Sequence, residues 1–199
     1  MVAVSYTHLD VYKRQKLFNS DKTTYRGEVC TDPYIHAYRF IVLTGLRPGE
    51  LLGLRWSDIA GRVIKLQRAV NIYGEVTQGK NRNAVRALAV STMALRELEQ
   101  QKELTESQSS VFGISNQALL CDYWHRYIAY NHIAPCSLYE LRHTFVSVAK
   151  KLPEGMVKSL VGHSENMDTF GTYGHALDGE ASEVAAAIDK IFSGILASK

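Results

Sequence analysis

At 199 residues the chain is long enough for one good-sized domain and short for two. Its 46% hydrophobic and 22% charged residues argue against disorder as a whole. Its three scattered cysteines (Cys30, Cys121, Cys136) lack any CxxC or Cys/His ligand spacing, so neither a disulfide framework nor a zinc site is expected. Net charge is only +3, a weak pointer to an anionic partner, but the distribution is uneven. No acid lies between Glu75 and Glu97, where Lys80, Arg82, Arg86 and Arg96 fall, and none lies between Glu140 and Glu154, where Arg142, Lys150 and Lys151 fall. Such local excess suits phosphate contacts, although a charge run can equally be a solvated face. No apolar run approaches transmembrane length and no signal peptide is evident, so a reducing cytoplasmic location is expected.

Met1 to Gln15 does not flow into a core pattern and resembles a translated sequencing-adapter sequence. Residues 1–15 are therefore expected to be a non-native tail and are set aside from fold reasoning. Asp32-Pro33 predicts a helix start, with Asp as N-cap and Pro at the first helical position. That helix carries Tyr34, Ala37, Tyr38, Ile41 and Val42 as one apolar stripe and ends at Gly45. A short helix restarts after Pro48 with Glu50 in its first turn. From Arg62 to Val90 the pattern is β, with runs at Val63–Leu66, Ala69–Tyr73 and Ala84–Val90, a turn at Gly74, and Lys80 on the loop of the resulting small sheet.

Ser91 caps a helix through Met93, Leu95, Leu98 and Leu104. Another, from about Asn116 to Asn131, sets Leu119, Tyr123, Tyr127 and Tyr130 along one side with Trp124 beside them, most simply as core. Pro135-Cys-Ser137 opens a helix over 138–150, Pro153 begins a short helix ending at Gly162, and a last helix spans about 179–196. Its apolar face is Ala181, Val184, Ala185, Ile188, Ile191, Phe192 and Ile195. The expected fold is α+β and mainly α-helical, with a small antiparallel β-sheet.

The late stretch Leu160-Val-Gly-His163 through Thr172-Tyr173-Gly-His175 puts one tyrosine near two histidines on a Gly-punctuated segment. A tyrosine that cleaves a phosphodiester must lose its proton. Its target phosphate must be clamped as charge builds, and the departing 5′ oxygen must gain a proton. Planar guanidinium groups clamp phosphate bidentately. Two arginines, a lysine, a histidine and a tyrosine meet that list without a metal.

Arg47, Lys80, Arg142, His163 and Tyr173 occur in that order, in five segments that resemble the tyrosine recombinase (phage integrase) family. Thr44-Gly-Leu-Arg-Pro-Gly-Glu-Leu-Leu-Gly-Leu-Arg-Trp-Ser-Asp-Ile59 is similar to the family's first arginine box. Lys80-Asn-Arg-Asn-Ala-Val-Arg-Ala-Leu-Ala-Val90 is similar to its β-hairpin lysine segment, and Leu138-Tyr-Glu-Leu-Arg-His-Thr-Phe145 to its second arginine box, with a flavour of conjugative-transposon integrases. Leu160-Val-Gly-His-Ser164 and Thr172-Tyr173 resemble its last histidine and its nucleophile. Any one segment alone is weak; five in order are specific. The resemblance covers about Asp32 to the C-terminus.

What the resemblance implies is a catalytic domain over residues 16–199, with the N-terminal DNA-binding domain missing, that breaks and rejoins duplex DNA through a 3′-phosphotyrosyl bond in the integration and recombination of a mobile element. Arg47 and Arg142 are expected to bind the scissile phosphate, Lys80 to protonate the leaving oxygen, His163 to hydrogen-bond the phosphate and Tyr173 to attack. Glu50 is expected to brace Arg47, and Arg82 and Arg86 to contact DNA. No cofactor is implied. The partners implied are double-stranded attachment sites and other copies of the chain, as a tetramer on DNA. Whether the last helix stays on its own domain or docks on a neighbouring copy is left open. Two departures stand out: Tyr139 occupies the place of the second box's usual histidine, and His163 and Tyr173 are one residue further apart than is common. Deprotonation of Tyr173 could fall to His175 or His143. Two alternatives share these residues: a type IB topoisomerase-like enzyme and a catalytically silent DNA-binding remnant.

Overall fold

Helix α2 (Ile35–Thr44) is the axis of the molecule, and every residue of it except His36 is buried. The structure, a computed structural model, describes residues 11–77, 86–152 and 177–197. The sequence IHAYRFIVLT predicts a single apolar stripe, but a helix apolar on nearly all sides stays out of water only if it is covered all round. α4 (Thr92–Thr105) and α6 (Leu138–Ala149) pack against it. From α5 (Gln117–Tyr130), Trp124 and Tyr127 bring their rings to 4.9 and 5.8 Å from that of Tyr38. The one strongly charged residue of α2, Arg39, is satisfied from the side. Its Nε donates to Leu17 O at 2.9 Å and its Nη2 meets Asp21, which clasps α1 (Val11–Asn19) to the core. α1 thus runs across residue 15, where the sequence places the end of a non-native tail, and Leu17 and Arg14 are buried.

The entry to α2 differs from the expected cap. Asp32 lies two residues before the N-cap position, taken by Tyr34. Its Oδ1 accepts from the Tyr34 N–H at 2.8 Å, a turn that precedes the helix rather than its first orphan bond. Its exit is as expected. Gly45 ends the helix at φ 68°, its N–H donating to Ile41 O at 2.8 Å.

A hairpin, β1 (Lys22–Tyr25) and β2 (Glu28–Thr31), precedes α2; α3 (Pro48–Gly53) and a short 3₁₀ turn (Trp56–Asp58) follow it. The antiparallel sheet is β3 (Ile59–Ala60), β4 (Val63–Leu66) and β7 (Arg86–Ala89), in the order β3-β4-β7, with Leu66 opposite Arg86 and Ile64 opposite Leu88. The expected run from Ala69 to Tyr73 shortens to β5 (Ala69–Val70), which pairs with β6 (Val76–Thr77) in a separate hairpin turning at Gly74. On α5 the buried side is Leu120, Trp124, Tyr127 and Ile128, rotated about one position from the expected stripe, so Leu119 and Tyr123 are half-buried. Trp124 Nε1–H finds Cys136 O at 2.7 Å.

The last helix, α7 (Leu177–Ala197), lies on α1, α4, α6 and β7 of its own chain. Val184, Ala185, Ile188 and Phe192 are buried there, four of the seven residues of the predicted face. Asp189 on the same helix accepts the N–H groups of Thr92 and Met93 at 2.7 and 3.0 Å, while Ser91 Oγ takes that of Ala94. Three orphan donors at the start of α4 are thereby satisfied, two of them by α7. The expected short helix over 153–162 lies outside the described residues.

Candidate active site

Two segments of the resemblance meet at the C-terminal end of α2. Gly45 is needed there twice. Its positive φ disfavours a side chain, and a Cβ would come within 2.3 Å of Phe145 Cδ1. Its carbonyl accepts a hydrogen bond from Nη1 of Arg142, so the turn that ends α2 also holds the second arginine. Arg142 sits in the middle of α6, which Ser137 opens with its N–H donating to the carboxylate of Glu140.

Arg47 is the N-cap residue of α3, with Pro48 first in the helix and Glu50 third. The Arg47 N–H donates to Glu50 Oε2 at 2.9 Å and its Nη1 to Oε1 at 2.9 Å. Gly49 lets this turn close on the sheet region, since a Cβ there would come within 2.6 Å of Val70 O. The expected brace between Glu50 and Arg47 is present in the geometry. Arg47 keeps 40% of its side chain exposed while Glu50 keeps only 7%.

Arg86, for which the resemblance implies a contact to DNA, is 4% exposed, with Nη1 and Nη2 donating to Glu50 Oε1 and Oε2 at 2.9 and 3.1 Å. Strand pairing is the reason. Arg86 and Leu88 share the inward side of β7, opposite Leu66 and Ile64, and period-2 alternation leaves Arg86 no route outward. That alternation was the available signal, because an arginine in phase with Leu88 faces inward.

A carboxylate offers about four acceptor sites. Glu50 receives four donors: the Arg47 N–H, Arg47 Nη1, Arg86 Nη1 and Arg86 Nη2. Burial would raise its pKa, but the hydrogen bonds and charge of Arg86, then those of Arg47, outweigh that and hold it below the ordinary glutamate value. Arg142 is pushed down to about 10, first by burial and then by the charge of Arg47, with Glu50 acting against the shift. It therefore stays charged at neutral pH, within electrostatic reach of Arg47. Arg47 and Arg86 share the one carboxylate and Arg142 lies within its electrostatic reach, which leaves two net positive charges.

Tyr139 is 47% exposed, one turn before Arg142 on α6, and His143 is exposed four residues further along the same face. Lys80, Arg82, His163, Tyr173 and His175 lie outside the described residues. Among the described residues no group of three or more His, Cys, Asp or Glu side chains could hold a metal ion, and no helix is long and apolar enough to cross a membrane.

A mainly helical domain with a small antiparallel sheet carries the two arginine segments of the resemblance at the end of a buried helix. The sequence profile of the phage integrase family matches residues 31–180, and the chain belongs to that family, the tyrosine recombinases. The ICEBs1 integrase of Bacillus subtilis (strain 168) is 27% identical, over 77% of this chain and 48% of that protein, so the chain spans about half the length of the curated relative it matches. Among solved structures, the Tn1549 transposon integrase in complex with circular intermediate DNA superposes with a TM-score of 0.66 at 17% identity, covering 88% of this chain and 65% of that one. The lambda integrase catalytic core gives 0.58 at 16% identity, covering 79% of this chain and 95% of that one. A lambda integrase tetramer bound to a Holliday junction also gives 0.58 at 16% identity, over 81% and 48%. At these identities the superpositions establish the fold, which is the α+β, mainly helical one expected. The relationship to integrases of conjugative elements agrees with the flavour of the second arginine box.

Proposed function

We propose that this chain is the catalytic domain, residues 16–199, of a site-specific DNA recombinase of a mobile element, cutting and rejoining duplex DNA by metal-independent transesterification. The observation that carries the proposal is the cluster at the end of α2, where Arg47, held by Glu50, and Arg142, held by the Gly45 carbonyl, lie within electrostatic reach of each other and leave a surplus of positive charge. Its support comes from membership of the phage integrase family and from relatives named as integrases.

In this reading the scissile phosphate lies against Arg47 and Arg142, whose guanidinium groups neutralise the non-bridging oxygens as charge accumulates. Such preorganised donors typically contribute about 100- to 1,000-fold each. The Tyr173 hydroxyl loses its proton to a base, for which His175 and His143 are the candidates, and its oxygen attacks phosphorus. The bond to the 5′ oxygen breaks as Lys80 gives that oxygen a proton, and His163 holds the phosphate. A 3′-phosphotyrosyl ester is left, and the 5′ hydroxyl of a partner strand reverses the reaction without an external energy source. Tyr139 hydrogen-bonds the phosphate in place of the usual histidine. Arg82 adds a backbone contact.

The partners in this proposal are double-stranded attachment sites and further copies of the chain, assembled as a tetramer. Two structural neighbours, the Tn1549 integrase in complex with circular intermediate DNA and a lambda integrase tetramer bound to a Holliday junction, support that arrangement. The scattered spacing of Cys30, Cys121 and Cys136 accords with a reducing cytoplasm.

The test is a labelled, nicked duplex carrying an end of the parent element, incubated with the chain and resolved on a denaturing gel. A covalent protein–DNA adduct in the wild type that is absent in Tyr173→Phe is the expected result. Relaxation of unrelated supercoiled plasmid at a comparable rate points to the topoisomerase alternative, and DNA binding without any adduct points to the silent remnant.

A further inference from the structure

We infer that Arg86 is a positioning residue for the phosphate clamp, acting on Arg47 through Glu50, rather than a contact to DNA. The inference rests on the proposed DNA-cleaving activity for its kinetic consequence, though not for its structural basis.

Three observations carry it. Arg86 is buried on the inner side of β7 and its two terminal nitrogens engage both oxygens of Glu50 in a fork-to-fork geometry. Glu50 is itself buried, and each of its oxygens also takes one donor from Arg47, so the two arginines divide the carboxylate between them. Arg47 is the only one of the three with a substantially exposed side chain. The chain of contacts therefore runs from a strand of the sheet, through a saturated carboxylate, to the arginine that faces outward. Glu50 Oε2 holds the backbone N–H of Arg47 and Oε1 holds its side chain. Without the fork from Arg86, the carboxylate could turn about its side-chain torsions, and both holds on Arg47 would loosen together.

Charge supports the same division of labour. Arg86 and Glu50 cancel, so the buried pair adds no net charge, whereas Arg47 and Arg142 remain as the surplus that an anionic phosphate neutralises. A lysine at position 86 keeps the charge but loses the fork, because an ammonium is a point donor.

The experiment compares wild type with Arg86→Met, Arg86→Lys and the double variant Arg86→Met/Glu50→Gln. The double variant is included because Arg86→Met alone leaves a buried carboxylate half-paired and can unfold the chain. For each, thermal unfolding is recorded first. Binding of the nicked duplex is then measured across a salt series, followed by the single-turnover rate of adduct formation at saturating protein. A positioning role predicts an adduct rate lower by roughly 100-fold in Arg86→Met and in the folded double variant. Arg86→Lys should recover part of it, and duplex affinity and its salt slope should stay within about twofold of wild type. A phosphate contact would instead weaken binding, lower the salt slope by about one and leave the saturated rate intact. Rate losses that merely track the unfolded fraction, or a double variant that cleaves like wild type, also overturn the inference.

Wild type forming no Tyr173-dependent adduct is a failure of the activity reading. Inorganic phosphate is then titrated against the wild type, Glu50→Gln and the folded double variant, so that the share of Arg86 is separated from that of Glu50. Roughly tenfold weaker binding in the double variant than in Glu50→Gln is expected, and equal binding of the two rejects the positioning role.

Discussion

Two carboxylates are buried beyond the two ends of α2, a ten-residue helix about 15 Å long, and they are treated in opposite ways. At the C-terminal end Glu50 has every acceptor site filled by arginine donors, and its pKa is held down. At the N-terminal end Asp32 is 1% exposed, with Oδ1 on the Tyr34 N–H. Its Oδ2 has no hydrogen-bond partner among the described residues. Burial lifts its pKa to about 6, against the smaller opposing effects of the Tyr34 N–H and the Arg126 charge. Tyr38 OH, close by on α2, is likewise buried without a partner there. Burial alone is common to both ends, and what separates them is compensation. One end is rigidly specified around a cluster of cations, and the other is a place where the fold tolerates a poorly solvated acid.

The largest effect expected from that contrast is at Glu50. Glu50→Ala leaves Arg86 buried and unpaired, a class of change that costs about 3–5 kcal/mol, and urea unfolding should register it. A loss below about 1 kcal/mol would mean that the pair does not hold the two arginines. Gly45→Ala comes next, at roughly 2–4 kcal/mol, because it combines a disfavoured positive φ with a collision against Phe145. The thermal midpoint should fall accordingly.

Asp32→Asn should act in the other direction. The folded-state pKa of about 6 lies above the ordinary aspartate value of 3.8, so the native state holds its proton more tightly than the unfolded chain. Stability is then lost as pH rises from about 4 to 6, by up to roughly 2–3 kcal/mol at neutral pH. Asparagine keeps an oxygen for the Tyr34 N–H and removes the charge. Its unfolding free energy should exceed that of wild type at pH 7.5 and converge with it near pH 4; parallel pH profiles would contradict the raised pKa. The smallest change is Tyr38→Phe. Removing a hydroxyl with no partner should be neutral or slightly stabilising, within about 1 kcal/mol, whereas a clear loss would reveal a hidden partner at this end of the helix.

The sequence made the arginine end of α2 easier to read than the Asp32 end. Gly45, Pro48 and Glu50 are punctuation with local causes, a left-handed cap and a first-turn acid, and the helices lie close to where those signals put them. The arginine boxes were legible because their spacing and neighbours repeat a known family pattern. Arg86 was not, since its role depends on which side of β7 faces Glu50, and only strand register fixes that. Asp32-Pro33 misled for a related reason. The pair favours a helix start locally, but the chain uses Asp32 for a preceding turn and begins the helix at Ile35. The all-round burial of α2 was also hidden, because covering it needs α1, α4, α5 and α6 at once.

The central claim is that the arginine end of α2, and not the Asp32 end, performs the chemistry. The most direct measurement is the single-turnover rate of covalent adduct formation on the nicked duplex, taken at saturating protein for wild type, Arg47→Ala, Arg142→Ala and Asp32→Asn. The account predicts wild-type rates for Asp32→Asn and losses of at least about 100-fold for each arginine variant, with all four proteins folded. Arginine variants that cleave as fast as wild type would contradict it.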